Sequence, residues 1–307
     1  MKKIFLIVPF ILGFQACDKM NPDSISGAKK SGRNANRDVF YYNYGVNFVR
    51  NKQYAKAAEM LSKALEINPD KKEVYPERAQ AYYYLADYGR AAADIEKAMQ
   101  TTPDSPALYS LRGRVLMNTG DLASAQRDLE RALTLNPNEP SVHSALGELL
   151  FKKKQYNKAL AELDKAIKMD PSDFDAYLNT AKIYYASMDY DNAVKYFEKA
   201  SQADSKNPQA LAYLGYCDFE RSNYSSAIEK FNQASAISPN FNSSLGLSLA
   251  YFMSGEENKA KAAIREAAKL EPALSGKNPI AELEKKGYIY TDIQKETMAE
   301  VLQMLKH

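Results

Sequence analysis

The chain has 307 residues, with 41 Lys and Arg against 38 Asp and Glu, and it contains only two histidines and two cysteines. A formal charge of +3 gives a poor electrostatic basis for binding nucleic acid. Two histidines are too few for the usual clusters of metal ligands or for nucleophile–histidine pairs. The composition therefore argues against both a nucleic-acid-binding protein and a metalloenzyme.

The first 17 residues have the layout of an export signal. Two lysines at 2–3 precede an uncharged, mostly apolar run over 4–16, and Cys17 follows the small residue Ala16. Thirteen residues are too few to span a bilayer as a helix. The segment resembles the lipobox of bacterial lipoproteins, in which the cysteine becomes the acylated first residue. Phe14 departs from the leucine that is usual three residues before that cysteine.

This resemblance implies a signal peptide at 1–16 and, at 17–36, a lipidated Cys17 followed by a polar tether that has no core of its own. The lipid anchor would hold the chain on the periplasmic side of a bacterial membrane, inner or outer. An ordinary cleaved signal and an uncleaved anchor remain the alternatives. Loss of the signal would leave 39 basic and 38 acidic residues, a net charge of +1.

A 34-residue period follows and dominates the rest of the chain. It is marked by regularly spaced prolines and by two alanine columns that lie five and twelve residues before each proline position. The prolines are Pro69, Pro103, Pro137, Pro171, Pro239 and, after a step of 33, Pro272, with Ser205 in the remaining slot. The nearer alanines are Ala64, Ala98, Ala132, Ala166, Ala200, Ala234 and Ala267. A period of this length predicts a stacked array of small units.

One period reads as two helices. Over 106–137, apolar residues recur at helical spacing, stop at the turn 118–121 and resume from Leu122. Asn136 ends the second helix, because proline disfavours helical backbone in the residue before it. Each repeat is therefore predicted to be an antiparallel helix pair that buries its apolar side only by stacking on its neighbours.

The pattern of small, aromatic and small residues with a closing proline resembles the tetratricopeptide repeat family over about 38–272. The small column of the first helix is Gly45, Ala79, Gly113, Gly147, Ala181, Gly215 and Ser248, and a tyrosine opens most second helices. The resemblance implies an all-α, right-handed superhelical solenoid with seven helix pairs over 37–272. Departures occur at Ser205, at Asp218 in an apolar column, and at Glu257 in the tyrosine slot.

Residues 273–307 leave the period and predict capping helices. The run from Pro279 to Gly287 predicts a short helix, and Thr291 to Gln294 forms a capping-box pattern before a second one. The seventh repeat offers several apolar side chains without charge, so we expect the C-terminal helix or a second subunit to cover it.

In the family, certain first-helix positions line a concave groove, and here those positions carry aromatic, apolar and basic residues. The residues that we assign to a partner-binding groove are Tyr42, Val49, Arg50, Tyr83, Tyr84, Arg114, Met117, Phe151, Lys152, Lys182, Tyr185, Tyr216, Phe219, Leu249 and Phe252. Rigid aromatic rings give contact area at low entropic cost. The alternative is that these rings only pack against their neighbours.

Residues that could suggest chemistry have simpler interpretations. His143 occupies a tyrosine column and is expected to pack as an aromatic, Cys217 occupies an apolar column, and Asp218 is expected to be a partnered acid. The sequence contains no phosphate-binding glycine loop, dinucleotide fingerprint, zinc-binding histidine motif or serine elbow.

The sequence thus predicts a non-catalytic scaffold of the bacterial envelope that needs no cofactor or metal and binds envelope proteins or peptides. Its apolar seventh repeat and cap also permit self-association. Two alternatives stay open: an accessory subunit that recruits a cell-wall hydrolase or a protease to its substrate, and a lipoprotein that binds glycans or peptides.

Overall fold

The computed structural model describes residues 37–304 except Gly287 and Ile289, and within that range every regular element is helical. The helix pairs are α1 (Arg37–Arg50) and α2 (Tyr54–Ile67), α3 (Val74–Tyr84) and α4 (Tyr88–Met99), α5 (Pro106–Thr119) and α6 (Leu122–Leu135), α7 (Pro140–Lys152) and α8 (Tyr156–Met169), α9 (Phe174–Ala186) and α10 (Tyr190–Ala203), α11 (Pro208–Glu220) and α12 (Tyr224–Ile237), and α13 (Phe241–Met253) and α14 (Glu257–Leu270). The seven pairs confirm the helix-pair repeat that the period predicts.

Three further elements follow the last pair. They are a 3-10 helix (Pro272–Ser275), α15 (Pro279–Lys285) and α16 (Asp292–Met304). The predicted signal peptide, the lipidated Cys17 and the tether lie outside the described residues and stay predictions. Within the described part of the chain, no helix combines the length and apolarity that crossing a bilayer requires.

The described part of the chain divides into two compact units, with the boundary between Thr101 and Thr102. The described part of the first unit contains α1–α4, which are two helix pairs. The second unit contains the other five pairs together with the 3-10 helix, α15 and α16.

In each helix pair, the turn between the two helices contains one residue with a left-handed backbone conformation. These residues are Lys52, Ala86, Gly120, Lys154, Met188, Ser222 and Gly255, with φ between 58° and 94°. Only two of the seven are glycines, the residue type that adopts this conformation without steric cost. The packed helices on either side therefore hold five side-chain-bearing residues in a strained turn.

Close approach within a pair depends on the small column of the first helix. A Cβ atom added at Gly45 would lie 2.5 Å from Leu61 Cγ, and one at Gly147 would lie 2.5 Å from Leu163 Cγ. Leu61 and Leu163 are fully buried, so neither has room to withdraw. In the seventh repeat Ser248 fills this position and donates a buried hydrogen bond to the Ala260 carbonyl over 2.9 Å.

Two repeats also carry a partly buried ion pair that links their helices and that the repeat pattern did not predict. Arg78 Nε lies 2.7 Å from Asp94 Oδ2, and Arg112 Nε lies 2.6 Å from Asp128 Oδ2. Both pairs are bidentate, because Nη2 of each arginine also donates to the other carboxylate oxygen. Their positions differ by one period of 34 residues, so they are the same contact made twice.

Within each unit the helices form two layers. Successive first helices contact one another, as α1 does with α3 in the first unit and α7 with α9 in the second. A second helix packs between the first helix of its own repeat and that of the next, as α6 does between α5 and α7. In each unit separately, we use the term first-helix face for the side of its odd-numbered helices that points away from its second helices. All the residues assigned to the groove lie on odd-numbered helices.

Candidate protein-binding face

In the first unit, the first-helix face presents exposed aromatic and charged side chains. Tyr84 is 51% exposed and stacks on Tyr54 with ring centroids 4.3 Å apart and an angle of 12°. Tyr83 and Tyr42 are half-buried, and Arg50 is exposed. Of the five groove residues predicted in this unit, Val49 alone is buried, at 8% exposure, so it contributes to helix packing.

Some ionisable groups at this surface are partly shielded from water. Burial raises the pKa of Glu77, and the nearby Arg50 charge opposes that shift. Burial, with a smaller contribution from Tyr84, raises the pKa of Tyr54 to about 12. Lys71 lies 5.5 Å from the Tyr42 ring centroid and pairs with Asp38 over 3.3 Å. A partner would therefore meet a mixed surface of rings and partly desolvated charges.

In the second unit, the open part of the face lies on repeats three to five. Arg114 donates to the Ser141 carbonyl over 2.8 Å, and Lys152 is exposed. Phe151 is half-buried with its ring 5.8 Å from that of Tyr156. Met117 is buried and belongs to the core.

Lys182 has a distinct setting in this stretch. Its Nζ lies 5.4 Å from the Tyr213 ring centroid. Burial lowers the pKa of Lys182, although the Glu148 and Asp175 charges favour its protonated form. An ammonium group held against a ring at the edge of the face can contribute a cation–π contact.

Repeats five to seven differ from the prediction of an open groove. Tyr185, Tyr216, Phe219 and Leu249 are all buried, and of the predicted residues there Lys182 and Phe252 are half-buried. Met298 and Val301 of α16 belong to the same apolar core as these side chains. Contact of the four buried residues with a partner stays a prediction, and at Tyr185 it would require Gln294 of α16 to move.

The C-terminal segment reaches this face through polar as well as apolar contacts. Gln294 Nε2 donates to Tyr185 Oη over 2.6 Å, and Thr291 Oγ1 donates to Glu220 Oε1 over 2.7 Å. Tyr190 Oη also donates to Glu220, over 3.3 Å. Helix α16 packs on α13 and α14, so the C-terminal helix covers the apolar seventh repeat, as one of the two sequence expectations proposed.

Thr291, the residue before α16, and Gln294, in its first turn, form the predicted capping box. Gln294 N donates to Thr291 Oγ1 over 3.2 Å, and Thr291 N donates to Gln294 Oε1 over 3.3 Å. Each side chain therefore caps α16 and also contacts the repeats. The sequence predicted the first role but not the second, because no local pattern marks a contact with a helix so far away along the chain.

The three residues that could suggest chemistry, His143, Cys217 and Asp218, have structural roles as hydrogen-bonded or buried side chains. His143 is more than an aromatic substitute: Nδ1 lies 2.7 Å from Glu162 Oε2 and Nε2 lies 3.0 Å from the Pro137 carbonyl oxygen. Asp218 accepts a hydrogen bond from Ser226 Oγ over 2.7 Å. Cys217 is buried, and burial raises its pKa to about 12, which disfavours a reactive thiolate. Among the described residues, no group of His, Cys, Asp and Glu is placed to hold a metal ion.

Comparison with known proteins identifies the repeat. Family models match at 48–115 (tetratricopeptide repeat), 94–203 (cytochrome c-type biogenesis protein H TPR domain) and 186–245 (anaphase-promoting complex, cyclosome, subunit 3). No curated protein sequence matches the chain.

Solved structures give the same fold at low identity. The chain resembles the APC/C hetero-tetramer Cut9–Hcn1 (TM-score 0.64, 16% identity, 81% of this chain), and it spans about half of that chain, 52%. It also resembles a tetratricopeptide repeat protein from Parabacteroides merdae ATCC 43184 (TM-score 0.59, 14% identity, 88% of this chain and 99% of that one). A third similar structure is PilW, described as a type IV pilus biogenesis factor (TM-score 0.57, 18% identity, 70% of this chain and 99% of that one).

The helix pairs, their small columns and these matches together define the class as an all-helical repeat protein. The chain is a tetratricopeptide-repeat protein. The matched families are named for different assemblies, so the matches identify the repeat and leave the partner open.

Proposed function

We propose that the chain is a non-catalytic scaffold that binds protein partners on the exposed parts of its first-helix faces. One observation carries this proposal. Aromatic and charged side chains that no core requires, such as Tyr84, Arg50 and Lys152, stand exposed on a face whose backbone is held by packed helices. Rigid rings beside adaptable charges are typical of protein-binding surfaces.

We further propose that the scaffold works in a bacterial envelope, held on a membrane by a lipid on Cys17. The support is the export-signal layout at 1–17 and the polar segment before α1. Envelope proteins or peptides are then the partners to expect. Self-association through the seventh repeat would need α16 to move, because α16 packs on α13 within the same chain.

Alanine variants test the binding proposal. The full chain is compared with a variant carrying Tyr84→Ala, Arg50→Ala, Phe151→Ala and Lys152→Ala in a crosslinking pull-down from intact cells. A matched control carries Glu96→Ala, Lys168→Ala, Met169→Ala and Ile237→Ala, which alter exposed residues of second helices. Circular dichroism verifies that both variants are folded.

We expect a specific partner to be lost from the face variant and kept by the control. Equal capture by both variants would place the interface elsewhere. Loss from the control alone would assign binding to the second helices.

A further inference from the structure

We propose that the first-helix face of repeats five to seven is a binding site for an amphipathic helix of a partner protein, and that α16 is the chain's own competitor for it. The inference rests on the proposed function, since it names the kind of partner segment and the control of access. The face already holds a helix, so the contacts of α16 define the chemistry that the site accepts.

The buried residues of α16 form a single stripe. Gln294, Thr297, Met298 and Val301 are buried, and their spacing of 0, 3, 4 and 7 residues places them on one side of a helix. Helix-in-groove recognition elsewhere uses the same spacing. The stripe begins with a polar residue and ends with two apolar ones.

The polar end of the stripe is fixed by two hydrogen bonds. The Gln294 side chain donates to the Tyr185 hydroxyl, and the Thr291 hydroxyl donates to the Glu220 carboxylate. Both acceptors belong to the first-helix face, on α9 and at the end of α11. The site therefore selects a helix that brings two polar donors to its N-terminal end and apolar side chains four and seven residues after the second donor.

Several features make α16 a replaceable occupant rather than a fixed part of the repeats. Its opposite side faces solvent, where Ile293 is 49% exposed and Glu296 and Glu300 are exposed. Next to it, the buried Tyr290 hydroxyl has no hydrogen-bond partner among the described residues. A buried hydroxyl left unsatisfied weakens the seated state. Docking of α16 on the repeats therefore combines favourable contacts with the unfavourable free energy of one unsatisfied buried hydroxyl.

The segment that connects α14 to α16 allows α16 to detach from the face while the segment itself stays packed on the repeats. Residues 271–291 separate α14 from α16, and the Tyr288 ring packs on Phe241 at 4.9 Å. Lys286 also pairs with Glu271 over 2.6 Å. These contacts can hold the linker in place while α16 opens. Because α16 is tethered to the repeats, it competes as an intramolecular ligand, and a partner helix must bind well to displace it.

A peptide with the sequence of residues 290–304, carrying a fluorophore, tests the site in trans on the full chain. The release variant carries Met298→Asp and Val301→Asp, which place charges in the buried stripe. The control carries Ala299→Asp and Gln303→Asp, which add the same charges on the exposed side of the same helix. Fluorescence anisotropy measures binding of the peptide.

We expect the release variant to bind the peptide at least tenfold more tightly than the wild type or the control. Adding Tyr185→Phe to the release variant should weaken binding about fivefold, because the acceptor of Gln294 is lost. A folded release variant that binds no peptide overturns the proposal. Equal binding by the wild type overturns it too, since the peptide would then occupy another site.

Two further measurements keep the test decisive. If the release variant does not fold, amide hydrogen exchange on the wild-type chain replaces the peptide experiment. The proposal requires α16 to exchange faster than α11 and α13. Equal protection of the three helices would make α16 an integral part of the fold and would overturn the proposal. A wild-type dimer that becomes monomeric in the release variant would assign the face to a second copy of this chain. None of these readouts depends on the pull-down, so failure here leaves the binding role of the exposed residues to its own test.

Discussion

The side-chain amide of Gln294 donates a buried hydrogen bond to the hydroxyl of Tyr185 over 2.6 Å, although 109 residues separate the two in the chain. Its other end caps α16 by accepting from the Thr291 amide. The Gln294 side chain therefore has two roles. It caps the N-terminus of α16, and it holds that helix against the repeats. The C-terminal segment is therefore part of the surface that the repeats present.

Replacing Gln294 with alanine should lower the free energy of unfolding of the second unit by about 1–3 kcal/mol, because the buried Tyr185 hydroxyl loses its partner and α16 loses a cap. Urea denaturation followed by circular dichroism measures the loss. Gln303→Ala, on the exposed side of the same helix, is the matched control and should change stability by less than about 0.5 kcal/mol. Similar losses in both variants would contradict the role given to the Gln294 contact.

The helix pairs could be predicted from sequence because their signals are local. Spacing of apolar residues, turn residues and small columns repeat every 34 positions, and each acts within one pair. The capping box of Thr291 and Gln294 was predictable for the same reason. The place where α16 docks was not, because docking depends on the folded repeats and no local pattern records it.

The partly buried ion pairs leave a signal in the sequence. Arginines at 78 and 112 and aspartates at 94 and 128 share two columns one period apart, with opposite charges at a constant separation of 16 residues. The burial of Tyr216 and Phe219 had no such signal. Their aromatic character fits equally well a surface for a partner and a surface for the chain's own helix.

Gly45→Ala should destabilise the first unit by about 1–3 kcal/mol, since the new methyl group would lie 2.5 Å from Leu61 Cγ in a filled core. Gly89→Ala is the matched control. It lies inside α4, its added Cβ meets nothing within 4 Å, and alanine favours helix over glycine by about 0.5–1 kcal/mol. Thermal unfolding should move in opposite directions for the two variants. Equal shifts would mean that the glycine column has no role in helix approach.

Asp94→Ala should cost about 3 kcal/mol or more, because it leaves the Arg78 guanidinium buried without its carboxylate. Glu59→Ala removes the exposed pair with Lys63 in the same unit and should cost less than about 1 kcal/mol. Urea midpoints at low and high salt compare the two. A small effect of Asp94→Ala would show that the buried pair adds little to linking α3 and α4.

Glu220 should make the stability of the second unit depend on pH. Burial raises the pKa of Glu220, while hydrogen bonds from Thr291 and Tyr190 lower it to a lesser extent. Since the folded-state pKa lies above the unfolded one, protonation favours the folded state. Stability gained from this group is complete below the unfolded pKa and is lost as pH rises through the folded pKa.

The measurement for Glu220 is the difference between the wild type and Glu220→Gln in urea midpoint at pH 5 and at pH 7.5. The urea midpoint of the wild type should rise relative to that of Glu220→Gln as the pH falls. Taking the difference cancels the contributions of other carboxylates that both proteins share. An unchanged difference at the two pH values would contradict the link between burial and protonation at this residue.

Lipid attachment should depend on Cys17 alone. Cells fed an alkyne fatty acid should label the wild type and Cys217→Ser, and should not label Cys17→Ser. Cys217 is the matched control because it is the only other cysteine and is buried in α11. Labelling of Cys17→Ser, or no labelling of the wild type, would contradict a lipid anchor at this residue.

Photocrosslinking in living cells tests the central claim most directly. A photoreactive residue replaces Tyr84 or Lys152 on the first-helix face, or Met169 or Leu270, which are exposed on second helices. If the chain is a scaffold that binds through its first-helix faces, the first two positions should crosslink to a discrete partner protein and the last two should not. Crosslinks of equal strength from the second-helix positions, or none from Tyr84 and Lys152, would contradict that claim.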